Sequence, residues 1–312
     1  MSEKEPLVSV GIPTFNRPEA LRNALEGIVG QTYKNLEIIV SDNGTPGNLT
    51  ETVVQEFMRE DSRISYFRQA ENRGVFFNFQ FVLDKATGEY FMWAADDDYR
   101  APTFVATLVD LMRRNPECAI SFCNFVEVTV TGGEAEGYPR HLALLQPFTS
   151  PHACIRLVRF YLQLEVYGKA NLAYGLIRRS LLRDFNWVTF VDKHGEYGID
   201  MLLIFALLLY GKLALSEESL YQCVVGNKKD TITSAPIPRS FGEKLAIPFI
   251  GLAKQQRYSW QYLLIAKGPV RFVLALFWPL KALDIFVRIF LVTEIKNAYN
   301  RVVRRLTRIE LR

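Results

Sequence analysis

An α/β fold, a mostly parallel sheet flanked by helices, is predicted by three observations. Short apolar runs rich in β-branched residues alternate with stretches whose apolar positions recur at helical spacing. Most of these strand-like runs stop at a cluster of turn residues. The chain has 312 residues, 49% of them hydrophobic and 22% charged, enough apolar surface to bury a sizeable core.

Residues 7–12, LVSVGI, have the continuous apolar character of a strand buried on both faces, and they stop at Pro13. Thr14, Phe15, Asn16 and Arg17 follow as a loop. Pro18 suits the first turn of a helix with Leu21, Leu25, Ile28 and Val29 facing inward. Residues 36–40 are the second strand, closed by Ser41-Asp42-Asn43-Gly44-Thr45. A helix over 50–59 buries Val53, Val54, Phe57 and Met58, and residues 64–67 are the third strand. Glu71-Asn72-Arg73-Gly74 leads into a helix bearing Phe76, Phe79, Val82, Leu83 and Ala86, which Gly88 closes. The fourth strand, 90–94, runs into three consecutive aspartates, Asp96, Asp97 and Asp98. In a parallel sheet the loops carrying Asn16, Asp42, Arg73 and Asp97 then meet at the edge where such sheets place ligands.

Beyond Pro102 a helix reaches Arg114, and residues 119–130 form a long strand turned by Gly132-Gly133. Residues 134–151 lack periodicity and read as an acceptor-side loop or flap. Helical and short-strand patterns return over 152–183. His194-Gly195-Glu196-Tyr197-Gly198-Ile199-Asp200 leads into a very apolar helix over 201–210, ended by Gly211, and then a strand over 220–225 and the polar loop Gly226-Asn227-Lys228-Lys229-Asp230.

Adjacent carboxylates repel one another, so Asp96, Asp97 and Asp98 call for a screening cation or for solvent. Hard divalent ions such as Mg²⁺ and Mn²⁺ take one or two carboxylates and complete their shell with water and phosphate oxygens. A solvated Asp-rich turn is the plainer alternative. Asp200 stands where a helix N-cap belongs; as a function, it reads as a general base, with Glu196 a weaker candidate. Lys228 and Lys229 suit a diphosphate, or plain solvation.

Four widely spaced cysteines, Cys118, Cys123, Cys154 and Cys223, form no metal-ligand spacing and read as buried thiols in a reducing compartment. The first residues lack a signal-peptide layout, so a cytoplasmic location is expected. The net charge of +4 hides an asymmetry: residues 267–312 carry net +7, the rest net −3. Residues 269–292 are apolar but interrupted by Arg271, Lys281, Asp284 and Arg288, short of the roughly 20 apolar residues a membrane span needs. They read as amphipathic helices lying on a membrane surface, with an oligomer interface or a helical cap as the alternative. Interleaving of the basic residues with bulky hydrophobics argues against nucleic acid.

Taken in order, VSVGIPTFNRPEALRNALEGIVGQTYKNLEIIVSDNGT, ENRG and GEYFMWAADDD resemble the family 2 glycosyltransferases, over roughly residues 6–125 and more loosely to about residue 226. The resemblance implies the GT-A fold, a Rossmann-like sheet, in a catalytic domain over 1–238 with a nucleotide-sugar half to about 125 and an acceptor half beyond it. Residues 239–312 are then the membrane-association region. It implies nucleotide-sugar contacts from Pro13, Thr14, Asn16, Arg17, Asp42, Asn72, Arg73, Gly74, Asp96 and Lys228, with the Asp42 carboxylate accepting the uracil N–H. Asp97 and Asp98 become ligands of Mn²⁺ or Mg²⁺, and Asp200 the catalytic base. The sequence departs from the family pattern in placing Ala95 at the first position of the DxD motif and Asn43 in place of an acidic residue.

The implied reaction is inverting transfer from a UDP-sugar to a hydroxyl of a lipid-linked or polysaccharide acceptor at the cytoplasmic face of the membrane, with a homo-oligomer as one arrangement of the enzyme. The rivals are a polyprenyl-phosphate sugar synthase, which needs no general base, and a non-catalytic, membrane-docked nucleotide-sugar binding protein.

Overall fold

Local patterning places the first four strands where the apolar runs lie. The computed structural model describes residues 5–96, 98–129, 141–164, 168–225 and 241–289. The chain divides into two compact units, residues 1–231 and 232–312.

In the first unit β1 (Val8–Thr14), β2 (Leu36–Asp42), β3 (Ile64–Arg68) and β4 (Tyr90–Trp93) pair in parallel in the order β3-β2-β1-β4. Val8, Val10, Ile12, Ile38 and Val40 are wholly buried, as strands covered on both faces require. Three helices connect these strands: α1 (Pro18–Val29), α2 (Leu49–Glu60) and α3 (Val75–Lys85). Helix α3 packs on β1 and β2.

Two glycines permit this packing by lacking a side chain. A Cβ on Gly11 would lie 2.6 Å from Val82 Cγ2 of α3, and one on Gly88 2.6 Å from the Leu7 carbonyl oxygen. Gly88 therefore serves the close approach of the chain to β1; α3 itself ends at Lys85 with Ala86 as its extended C-cap. Gly11→Ala is expected to push α3 off the sheet and cost about 1–3 kcal/mol, the usual penalty of overpacking, measurable by denaturant unfolding.

The remaining strands make the sheet mixed. They are β5 (Tyr99–Arg100), β6 (Cys118–Thr129), β7 (Leu176–Arg178) and β8 (Lys212–Val225), and the eight-stranded order is β3-β2-β1-β4-β7-β6-β8-β5. Strand β7 runs antiparallel to β4 and β6, β5 runs antiparallel to β8, and β6 pairs with β8 in parallel. Six of the eight strands thus run in one direction, as a mostly parallel sheet requires, and only β7 and β5 are reversed. Three- and two-residue strands are too short to carry a period. Strand β8 also starts earlier than its apolar run, because its pairing slips from Cys123 opposite Ser216 to Asn124 opposite Ser219, leaving Glu217 and Glu218 out of register.

Helix α4 (Phe104–Arg114) buries Phe104, Val105, Leu108, Val109 and Met112. Residues 141–149, expected to be irregular, form α5 (His141–Leu145) and a 3₁₀ turn over Gln146–Thr149, with His141, Leu145 and Phe148 buried. Helix α6 (Ala153–Leu162), a 3₁₀ turn (Lys169–Tyr174), α7 (Trp187–His194) and α8 (Ile199–Tyr210) complete the unit. All four cysteines are free; Cys118 and Cys123 are buried as expected, whereas Cys154 and Cys223 are half-buried.

The second unit holds α9 (Phe241–Ile265) and α10 (Gly268–Val287). The Gln256 side-chain amide donates to the Ala282 carbonyl at 3.1 Å, and the Trp260 and Trp278 rings meet edge to face with centroids 5.7 Å apart. Among the described residues no helix is long and apolar enough to cross a membrane. Residues 290–312, with most of the basic tail, lie outside the described residues.

Candidate active site

Parallel pairing of β1 with β4, Gly11 opposite Trp93, brings the loops at their carboxyl ends side by side. The Thr14 hydroxyl donates to Asp96 Oδ2 at 2.9 Å, and Arg17 Nη1 donates to Asp96 Oδ1 at 2.7 Å. Residues about 80 positions apart in sequence are so locked together around a buried carboxylate, and charge-assisted bonds of this kind are the stronger ones.

Asn78 of α3 ties in the second strand. Its Nδ2 donates to the Thr14 and Ser41 carbonyls at 3.2 and 3.0 Å, and its Oδ1 accepts from the Ser41 hydroxyl at 2.6 Å. Asn43 does the same for the loop before α3. Its amide donates to Asn72 Oδ1 at 2.9 Å and to the Gly74 carbonyl at 3.1 Å, and its Oδ1 accepts the Arg73 backbone N–H at 3.0 Å.

These contacts enclose a cavity of about 400 Å³, lined by Pro13, Thr14, Phe15, Arg17, Asn43, Asn72, Val75, Asn78, Phe79, Ala95, Asp96 and Tyr174. Its volume lies in the range of small-molecule sites, and its wall combines aromatic faces with a few convergent polar groups. Pro13, Thr14, Arg17, Asn72 and Asp96 were expected from the sequence. Asn43, Asn78 and Tyr174 were not. Asn78 had a legible signal, an amide on the buried face of the otherwise aromatic and aliphatic helix VFFNFQFVLDK. Tyr174 had none.

Several other expected donor contacts lie outside the cavity lining and bond within the protein. Asp42 Oδ1 accepts from the Thr45 backbone N–H at 2.9 Å and hydroxyl at 2.6 Å, and Oδ2 accepts from the Tyr66 hydroxyl at 3.0 Å. It is buried, its oxygens are spoken for, and Asn43 rather than Asp42 reaches the cavity wall. Burial, then the Asp42 charge, pushes the Tyr66 phenol far up, so it stays a donor. Asn16 takes a left-handed turn at φ 54° and donates its backbone N–H to Thr45 Oγ1 at 2.8 Å, a conformation asparagine tolerates well. Gly74 is the N-cap of α3 at φ 89°, and the Arg73 guanidinium lies 3.7 Å over the Phe77 ring.

Asp98, expected as a metal ligand, is held by protein donors. Its carboxylate accepts the Tyr221 hydroxyl and, at 3.1 Å, the Val224 backbone N–H. It lines a separate cavity with Asn23, Glu26 and Arg100. The side chain therefore fastens the acidic loop to β8. Burial, reinforced by the Asp98 charge, holds the Tyr221 phenol protonated for that bond. Asp97 and Lys228 lie outside the described residues. Among the described residues no group of three or more His, Cys, Asp or Glu side chains is placed to hold a metal.

Asp200 sits in the first turn of α8, two residues past the N-cap, Gly198, at φ 64°. Burial raises its pKa, opposed by backbone N–H groups of Met201 and Asp200 and by the charge of Lys169. Helix α8 packs on the 3₁₀ turn Lys169–Tyr174, whose last residue lines the cavity.

Residues 9–160 match the family described as Glycosyl transferase family 2. This stretch is a family 2 glycosyltransferase domain. Over 105 residues the chain is 40% identical to a Campylobacter jejuni GalNAc(5)-diNAcBac-PP-undecaprenol beta-1,3-glucosyltransferase, a match covering 33% of this chain and 34% of that protein. Glycosyltransferase GlyA of Streptococcus pneumoniae is 35% identical over 101 residues, 32% of this chain and 14% of the relative. The match thus spans about a third or less of these relatives. Among solved structures, S. aureus TarS 1-349 in complex with UDP-GlcNAc superposes with a TM-score of 0.56 at 14% identity, covering 91% of this chain and 90% of that one. Mannosyltransferase PcManGT of Pyrobaculum calidifontis, in complex with GDP-Man and Mn²⁺, gives 0.51 at 15% identity, covering 96% and 88%. These likenesses show a GT-A-like fold for the glycosyltransferase domain.

Proposed function

We propose that the chain is an inverting glycosyltransferase that moves a sugar from a UDP-sugar to a hydroxyl of a membrane-associated, lipid-linked acceptor. The observation that carries the donor half is the Thr14–Asp96–Arg17 clamp at the wall of the cavity between the β1, β2 and β4 loops. Arg17, half exposed on that wall, faces a ligand as a cation suited to phosphate oxygens. Phe15, Val75 and Phe79 offer apolar faces for a base or sugar. UDP-GlcNAc in the TarS complex supports a uridine donor, and the printed activity of the Campylobacter relative supports a polyprenyl-diphosphate-linked glycan as acceptor. Such an acceptor places the enzyme at a membrane, on the cytoplasmic face where nucleotide sugars are made.

Asp200 takes the proton of the attacking acceptor hydroxyl, which displaces the nucleotide from the opposite face of the sugar. Burial suits it to this role by raising its affinity for a proton. Lys169, fully buried and anchored to the Phe160 and Gln163 carbonyls at 2.9 and 2.8 Å, keeps a positive charge nearby and limits that rise.

The acidic loop fits a divalent cation in chemistry, all its side-chain donors being hard carboxylate oxygens. With Asp98 tied to Tyr221 and Val224, and Asp96 to Thr14 and Arg17, Asp97 would hold the ion, which would supply positive charge to offset that of a leaving diphosphate.

A thermal-shift panel of UDP-, GDP- and dTDP-sugars with and without Mn²⁺ tests the reading. At a hundred times its Kd a UDP-sugar adds about 2.7 kcal/mol of stability, about 5–10 °C in Tm for a domain of this size. Absence of any nucleotide-dependent shift would remove the donor assignment.

A further inference from the structure

Helix α10 is built inside out. Its accessible face holds Phe272, Leu276, Leu280, Leu283 and Phe286, which are 76, 77, 60, 59 and 45% exposed, whereas Lys281 on the protected side is only 3% exposed. At about 100° per residue these five side chains fall within an arc of about 120°, along about 21 Å of helix. Scattered surface leucines are ordinary; a continuous stripe of this length on a helix that hides its lysine marks a surface made for an apolar medium.

We propose that this stripe is the part of the protein that enters a lipid bilayer, with α10 lying in the plane of an anionic membrane surface. The proposal deepens the lipid-linked acceptor reading by naming the surface that meets the membrane. Two further observations favour lipid over a protein partner. First, residues 241–289 carry seven Lys/Arg against two Asp/Glu. Arg257 and Arg271 are exposed, as are Lys254 and Lys267, a setting that attracts acidic headgroups. Second, Trp260 of α9 is 45% exposed and packs edge to face on Trp278, an amphipathic aromatic of the kind enriched where membrane meets water. Since no described helix is long and apolar enough to cross, the geometry left is shallow insertion.

The test is flotation of the full chain with vesicles of phosphatidylcholine alone, and of three parts phosphatidylcholine to one part phosphatidylglycerol. The wild-type protein is expected to float with the anionic vesicles. Leu276→Glu/Leu283→Glu should weaken partitioning at least tenfold, because burying one leucine is worth more than the about 1.4 kcal/mol that a factor of ten requires. Phe272→Ser at the far end of the stripe should act in the same direction. Arg271→Gln should weaken binding to anionic vesicles only. All four positions are exposed, so Tm and UDP-sugar affinity should stay at wild-type values.

Equal flotation of the wild type and the double variant overturns the proposal, as does a wild-type protein that stays in the soluble fraction. A wild-type dimer that the double variant converts to monomer, with vesicle binding unchanged, assigns the stripe to a second copy and also overturns it. A protein that floats as expected yet binds no nucleotide sugar sinks the proposed activity and leaves this surface standing.

Discussion

Asp200→Asn is expected to lower kcat by about 10²–10⁴, the usual range for loss of a positioned general base, while the Kd for a UDP-sugar stays within about twofold. The two readouts separate because Asp200 lies on α8, outside the residues lining the donor cavity. The pH profile gives a second signature. Burial raises the Asp200 pKa, so the acidic limb of kcat/KM should lie above the ordinary carboxylate range of about 4. Activity should disappear as the pH falls through that limb, since only the ionised form accepts a proton.

The same shift acts on stability with the opposite sign. A carboxyl group that holds its proton more tightly in the folded than in the unfolded state stabilises the fold at low pH, and that contribution is lost as the pH rises from the unfolded to the folded pKa. At neutral pH Asp200 is then a buried charge held at a cost, and the asparagine variant should unfold at a slightly higher temperature than the wild type. A less active and no less stable variant is the pattern of a functional carboxylate. Undiminished transfer by Asp200→Asn would end the base assignment. So would a folded variant that no longer binds donor.

The first half of the fold was legible because each of its strands is a mainly apolar run bounded by turn residues, and β1, β2 and β4 lie in the sheet's interior with buried residues on both faces. The second half was not, since β5 and β7 are two and three residues long and β8 contains the polar run Ser216-Glu217-Glu218-Ser219. A strand that short is defined by its partners across the sheet, which a local pattern does not contain.

The site shows the same division. Thr14, Arg17 and Asp96 were named through the resemblance to family 2 glycosyltransferases, and the fold brings them into hydrogen-bond contact. Whether a carboxylate at a strand end faces a ligand or supports its neighbours depends on where the donors of other segments fall. Asp42 meets Thr45 and Tyr66, and Asp98 meets Tyr221 and Val224 from a strand more than 120 residues away. Sequence spacing alone ranks all of these carboxylates alike.

That distinction sets the second large effect. Asp97→Ala is expected to abolish turnover, by at least about 10³, if leaving-group charge is neutralised at this position. Asp98→Ala is expected to act through the fold. It leaves the buried Tyr221 hydroxyl without its acceptor, a loss of about 1–3 kcal/mol, and it frees the Val224 N–H, loosening β8 from the acidic loop. Thermal unfolding with and without Mn²⁺ and UDP-sugar discriminates the two. Asp97→Ala should keep the wild-type Tm of the unliganded protein and lose the part of the UDP-sugar shift that Mn²⁺ adds. Asp98→Ala should start from a lower Tm and keep the Mn²⁺ increment, because its carboxylate oxygens are already occupied by protein donors. The reverse result, with Mn²⁺ dependence lost on removal of Asp98 and retained on removal of Asp97, would return the ligand role to the buried carboxylate and require Tyr221 to release it when donor binds.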